Sequence, residues 1–168
     1  MDFRIALSAS QTACVGLIGV FAFIVALNNI FDYQSNFLFV QHVLTMDTTF
    51  HDNKLMYRAI NSAPLHHAAY AVIIALEAIV GLISLFAAGS MCAALCARDM
   101  TRFCNAKGLA VIGLTIGFIL WFGGFMIVGA EWFLMWQSQT WNGQSAAFRF
   151  CAIILGTLVF LSSYHEAS

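Results

Sequence analysis

The chain has 168 residues, of which 61% are hydrophobic and 9% are charged, and its net charge is −1. A soluble domain of this size exposes much polar surface and carries about 25% charged residues, so the composition excludes that class. A nearly neutral chain also lacks the excess of lysine and arginine that binds nucleic-acid phosphates. We therefore predict an integral membrane protein that contacts the lipid bilayer and has no nucleic-acid partner.

Four apolar stretches account for most of the chain, at residues 13–27, 68–88, 109–130 and 146–162. A bilayer core about 30 Å thick requires a helix of about 20 apolar residues. Two stretches reach this length unaided, and flanking residues complete the others, which gives predicted spans of about 5–28, 66–88, 108–130 and 146–164. We predict an all-α membrane protein with a single domain, 1–168, formed by a four-transmembrane-helix bundle.

The first stretch could instead be a signal peptide, because Arg4 precedes it. No small-residue cleavage site follows Leu27, however, since the chain continues with Asn28, Asn29 and Ile30. We therefore interpret this stretch as a transmembrane helix. Its polar residues near one membrane surface would then face neighbouring helices.

The loop after the first span predicts two short amphipathic helices, at 36–46 and 53–60. In the first, Phe37, Val40 and Val43 fall on one face at helical spacing. Such helices lie along the membrane interface or cap a bundle. The second span then begins near Pro64, since proline is tolerated in a first helical turn.

The same loop concentrates histidines at one membrane surface. His42, His51, His66 and His67 lie there together with Asp47, so a copper or zinc site, or a haem bound by His42 and a second-span histidine, is one hypothesis. His66 and His67 are adjacent, however, so on a helix their side chains would point in different directions. No two histidines are four residues apart, the spacing that would place both on one helical face. We therefore favour hydrogen-bonded or interfacial histidines and assign no cofactor.

Glu77 is the only charged residue in the second apolar stretch. An ionised carboxylate in hydrocarbon costs about 2.5–3.5 kcal/mol on insertion scales, and no cationic side chain lies at matching depth, so we expect a neutral acid. It would donate a hydrogen bond to Thr115, Thr157 or exposed backbone and contribute about 1 kcal/mol to helix association. The alternative is a proton-relay or ligand site. A lone acid favours the structural role or a contact with a partner subunit.

Basic residues and cysteines predict the orientation. One side of the membrane carries Arg4, Arg98, Arg102 and Lys107, and the other carries Lys54, Arg58 and Arg149, two of them in the long loop. Cys92, Cys96 and Cys104 accompany the first set, as expected of thiols in a reducing cytoplasm. Their spacing lacks the two-residue knuckle of a zinc or redox site. We predict that both termini and the middle connection are cytoplasmic.

The third stretch contains glycines one helical turn apart, Gly113 and Gly117, which predict close approach to a neighbouring helix. The connection that follows carries Trp132, Trp136 and Trp141, an aromatic belt at a membrane surface. Trp132 and Trp136 would share one helical face, and Glu131 would pair with Arg149. A quinone or lipid headgroup pocket is the alternative to membrane anchoring.

Nine residues in or beside these two loops form a candidate outer-face site: His42, Asp47, His66, His67, Glu131, Trp132, Trp136, Trp141 and Arg149. Several runs from the same loops carry a resemblance, among them Asn28-Asn29-Ile30, Phe39-Val40-Gln41-His42-Val43-Leu44, Glu131-Trp132-Phe133 and Trp141-Asn142-Gly143-Gln144. They resemble a bacterial family of predicted small integral membrane proteins over nearly the whole chain. The resemblance implies a four-helix protein of the bacterial inner membrane, whose function is not known, and transfers no catalytic or binding residue.

Two functional hypotheses follow. The first is an accessory or assembly subunit that binds another membrane protein or a second copy of itself, which would explain the short loops and the absence of a catalytic set. The second is a small proton-coupled transporter or a carrier of a redox ligand (haem, quinone or metal) that uses Glu77 or the outer histidines. An enzyme is a distant third hypothesis, because no nucleophile and base can be recognised.

Overall fold

A computed structural model describes residues 3–162. These residues form an all-α bundle, which confirms the predicted fold class. Four helices are long and apolar enough to cross a membrane, and the first three are longer than the sequence predicted. The fourth begins two residues before the predicted span, and residues 163–164 of that span lie outside the described part. The helices are α1 (Phe3–Phe31), α2 (Tyr33–Thr45), α3 (Ala63–Cys96), α4 (Met100–Phe118), a π-helical segment (Ile119–Trp132) and α5 (Gln144–Ser162).

Helices α1 and α3 form the most extensive helix pair of the bundle, and two glycines bring their backbones together. A Cβ atom added at Gly81 of α3 would lie 2.7 Å from the backbone nitrogen of Phe23 in α1. One added at Gly19 of α1 would lie 2.9 Å from the backbone nitrogen of Leu85. Small residues allow such close approach between membrane helices, so this pair depends on both glycines.

The third span begins as an α-helix and continues as a π-helix. Asp99 caps its start, because the Asp99 carboxylate accepts a hydrogen bond from the Arg102 backbone N–H at 2.9 Å. Gly113 and Gly117 pack against α3 and α5, as their spacing predicted. The wider π-helical turns start at Ile119 and end at Trp132. Such turns are rare and often occur at functional sites.

Helix α2 covers the end of the bundle at which α1 ends and α3 begins, and we call this the α2 end. Cys92, Cys96 and Cys104 lie near the junction of α3 and α4, and we call that opposite end the cysteine end. Phe37, Val40 and Val43 form the buried face of α2, as their helical spacing predicted.

The second predicted loop helix, at 53–60, is not an α-helix. Only a 3-10 turn, Met56–Arg58, occurs there. The physical reason is competition for the backbone, because the Asn53 side chain accepts the Leu55 N–H and the Ile60 N–H donates to the Leu44 carbonyl.

Candidate functional site

A chain of hydrogen-bonded polar side chains lies inside the bundle near the α2 end. Asn36 Nδ2 donates to Asn29 Oδ1 at 2.6 Å, and Asn29 Nδ2 donates to Glu77 Oε2 at 2.7 Å. Asn29 is 4% exposed and Glu77 is 3% exposed. The acid predicted from the sequence is therefore the end of a three-residue network that joins α1, α2 and α3.

The continuous course of α1 explains this network. We predicted that the first span ends near residue 28, but α1 continues to Phe31, so Asn29 belongs to the helix and is buried in the bundle. Helix α2 begins two residues later, at Tyr33, and turns Asn36 back toward Asn29. The predicted hydrogen bonds from Glu77 to Thr115 or Thr157 are not formed, and Thr157 donates to the carbonyl of Ile153 in its own helix.

The network lines a cavity of about 220 Å³. Asn29, Asn36, Tyr70 and Glu77 supply its polar groups, and the other walls come from apolar and aromatic side chains of α1, α2, α3, α5 and the π-helical segment. Its lining contains no lysine, arginine or histidine. No hydrogen bond within residues 3–162 reaches the second carboxyl oxygen of Glu77, Oε1. The cavity therefore presents a carboxyl group with unused hydrogen-bonding capacity.

An apolar groove of about 470 Å³ adjoins this cavity. It lies between α2, the first turns of α3 and the second half of the π-helical segment, and every residue that lines it is apolar or glycine. Four residues line both spaces: Phe39, Val40, Ile73 and Phe125. The polar cavity and the apolar groove are thus neighbours with a shared wall.

The predicted outer-face histidines are held by separate partners. His42 Nδ1 lies 2.7 Å from Asp47 Oδ2, and the His42 ring stacks on Trp141 with centroids 4.7 Å apart. His66 is 3% exposed, and its Nε2 lies 2.7 Å from the Ile60 carbonyl oxygen.

His67 belongs to a third group. Its Nδ1 shares a 2.8 Å hydrogen bond with the Tyr33 hydroxyl, and its ring stacks on Phe37 with centroids 4.2 Å apart. In the described part of the chain, no three side chains of the histidine, cysteine, aspartate and glutamate types lie close enough to hold a metal ion. These three histidines therefore connect different neighbouring segments at the α2 end and do not converge on one point.

The tryptophan connection departs from the predicted helical geometry. Leu134 adopts a left-handed backbone conformation with φ 54°, which ends the π-helical segment before Trp136. Trp132 and Trp136 therefore do not share a helical face, contrary to the prediction. Arg58 lies over the Trp132 ring, with 4.4 Å from Cζ to the centroid, and Trp136 packs edge-on against Phe50.

The ion pair predicted between Glu131 and Arg149 is also wrong. Both residues are described, and no salt bridge joins them. The two loops are linked instead by the Thr48–Ser138 hydrogen bond of 2.8 Å, by the stacking of His42 on Trp141, and by the contacts of Arg58 and Phe50 with tryptophans described above. Of the nine predicted outer-face residues, the structure thus brings together His42, Asp47 and Trp141. His66, His67, Trp132 and Trp136 have separate partners, and Glu131 and Arg149 are exposed.

Comparison with known proteins identifies the family of the chain. A family model described as "Predicted small integral membrane protein (DUF2165)" matches residues 7–163. The chain belongs to this family. No curated protein and no solved structure is significantly similar to the chain.

For this member of the family of predicted small integral membrane proteins, the match spans every residue of the cavity and the groove. The sequence pointed to Glu77 but missed Asn29, Asn36 and Tyr70. A usable signal was the presence of two amides seven residues apart at the end of the first span, since a buried acid needs hydrogen-bonding partners. Chemically, the cavity offers hydrogen-bonding side chains and one carboxyl group, and its lining contains no cationic side chain.

Proposed function

We propose that the protein is a membrane-embedded binding protein that holds a small uncharged ligand group by hydrogen bonds to Glu77 and Asn36. The observation that carries the proposal is a buried carboxyl group with one unused oxygen at the wall of a 220 Å³ cavity. An ionisable residue inside a membrane protein is by default a functional-site hypothesis. An acid that only joined helices could be closely packed, without a cavity beside its carboxyl group.

The chemistry of the lining favours binding over ion transport. The cavity has one acid and no cationic side chain, so an ionised carboxylate there would lack a partner. A neutral acid both donates and accepts a hydrogen bond. When a ligand hydroxyl or carbonyl group leaves water, hydrogen bonds to Glu77 and Asn36 would replace its hydrogen bonds to water. Leaving such a buried group without a hydrogen-bond partner costs about 1–3 kcal/mol.

Purification in mild detergent, followed by mass spectrometry of the extracted small molecules, tests this proposal. We expect the wild-type protein to retain a small molecule and Glu77→Leu to retain at least about tenfold less, because about 1.4 kcal/mol corresponds to a factor of ten. Glu131→Gln is the matched control, since Glu131 is exposed and lines neither space. A wild-type protein that carries no small molecule would contradict the proposal.

An accessory or assembly subunit is the second candidate function. Gly89 of α3 and Gly156 of α5 have no heavy atom near the position of an added Cβ, so both present small residues on the outside of the bundle. Such positions let the backbone of another membrane helix approach. The same purification tests this candidate, because a partner protein that co-elutes in a fixed ratio would support it.

We further propose that the protein lies in a bacterial inner membrane with both termini and the cysteine end in the cytoplasm. Cys96 is exposed at the cysteine end, and Lys54 is exposed at the α2 end. In intact cells, a membrane-impermeant maleimide should label a Lys54→Cys variant that lacks the native cysteines. A variant with Cys96 alone should react only after permeabilisation, and labelling in the reverse order would show the opposite orientation.

A further inference from the structure

We infer that the apolar groove and the cavity form one site for an uncharged single-chain amphiphile, with the chain in the groove and the polar head at Glu77. The inference rests on the proposed function, because it supplies the apolar part of the ligand whose polar group Glu77 would bind. The groove of about 470 Å³ falls within the roughly 300–1,000 Å³ typical of ligand sites.

The shared wall joins an apolar space to a polar one. Phe39 of α2 and Phe125 of the π-helical segment contact each other across it, with ring centroids 6.2 Å apart. Ile73 of α3 completes this wall and is half-buried. Side chains of this kind can move apart by rotamer changes, so a ligand that spans both spaces requires no backbone movement.

The π-helical segment keeps the groove open. A Cβ atom added at Gly124 would meet only Leu120 of the same helix, at 3.9 Å. Gly129 also lines the groove without a side chain. The absence of side chains at these two positions leaves room for an apolar chain along the wall that faces α2 and α3.

Charge decides the class of head group. The linings of the groove and the cavity contain no lysine, arginine or histidine, so a phosphate or carboxylate head would be buried without a cation. The cavity of 220 Å³ corresponds to roughly seven water volumes of about 30 Å³, which suits a compact head. A hydroxyl or carbonyl head that bonds to Glu77 and Asn36 satisfies both conditions.

Photolabelling of the purified protein in phosphatidylcholine vesicles tests this inference. The probe is a monoacylglycerol with a diazirine in its chain, and labelled peptides are identified by mass spectrometry. We expect labelling of groove residues on α2 and the π-helical segment, competition by unlabelled monoacylglycerol, and no competition by an alkyl phosphate with the same chain.

Two variants that enlarge a side chain in the lining test whether the probe occupies the groove. Ile73→Trp places a larger side chain at the wall that the two spaces share, and Gly124→Leu places a side chain in the groove. Each variant should therefore reduce groove labelling at least about tenfold. Ile79→Trp is the matched control, because Ile79 lies on α3, is exposed and lines neither space. Thermal unfolding of each variant establishes that it is folded before labelling is compared.

The outcomes separate this inference from the proposed function. Uniform labelling around the bundle, or labelling that Ile73→Trp and Gly124→Leu leave unchanged, would overturn the inference and mean that only bulk lipid occupies the groove. The proposed function would stand in that case if Glu77→Leu still lost its co-purified small molecule. Groove labelling that persists unchanged in Glu77→Leu would overturn the joint site and leave the groove as a chain-binding surface alone.

Discussion

Gly81→Ala is expected to destabilise the bundle by about 3 kcal/mol, although the same change in an open helix position is stabilising by about 1 kcal/mol. The added Cβ would lie 2.7 Å from the backbone nitrogen and 2.9 Å from the Cα of Phe23. Backbone atoms inside a helix cannot move aside as the end of a flexible side chain can. Helix α1 would therefore have to separate from α3, and the contacts along the most extensive helix pair would weaken.

Equilibrium unfolding in detergent, followed by circular dichroism, measures this effect. Gly89→Ala is the matched control on the same helix, because nothing lies within 4 Å of the added Cβ. We expect Gly89→Ala to be neutral or slightly stabilising. Equal stability of the two variants would mean that α1 and α3 do not approach each other as closely at Gly81 as the structure has them.

The architecture of this chain was predictable because the bilayer simplifies the problem. A helix that crosses hydrocarbon must satisfy its own backbone, so long apolar stretches indicate helices regardless of their neighbours. The glycine spacing at Gly113 and Gly117 likewise indicated close packing, which depends only on the absence of a side chain. These features are local in sequence, and for that reason they were correctly predicted.

The interior site was not predictable to the same depth, because it depends on which helix faces meet. Glu77 stood out as a lone acid, but its partner Asn29 lies 48 residues away in the chain. No pattern within one helix specifies that pairing. The cavity and the groove depend on side chains from several elements, and they appear only when those elements are packed together.

The errors at the α2 end have a similar origin. Periodicity predicted a helix at 53–60, yet the Asn53 side chain and the Leu44 carbonyl take up backbone groups that the helix would use. The spacing of Trp132 and Trp136 suggested a shared face, but Leu134 adopts a left-handed backbone conformation between them, which interrupts the helix. Loop geometry follows from individual hydrogen bonds and left-handed residues, which apolar periodicity does not reveal.

Asn29→Leu should cost about 1–3 kcal/mol of unfolding free energy, because it removes the hydrogen-bond donor to Glu77 and the acceptor for Asn36. Adding Glu77→Leu should restore much of that stability, since replacing both partners of a buried polar pair by apolar groups is often nearly neutral. A double-mutant cycle in detergent measures the coupling, which we expect to be on the order of 1 kcal/mol. Additive effects would contradict the Asn29–Glu77 hydrogen bond.

The control cycle pairs Asn29→Leu with Glu131→Leu, which should be additive because Glu131 is exposed and shares no partner with Asn29. The double variant of Asn29 and Glu77 also separates stability from binding. If the polar network existed only to hold the helices together, a stable apolar replacement would behave like the wild-type protein in every respect. We expect instead a folded bundle that no longer retains the small molecule, because the carboxyl group that would bind it is gone.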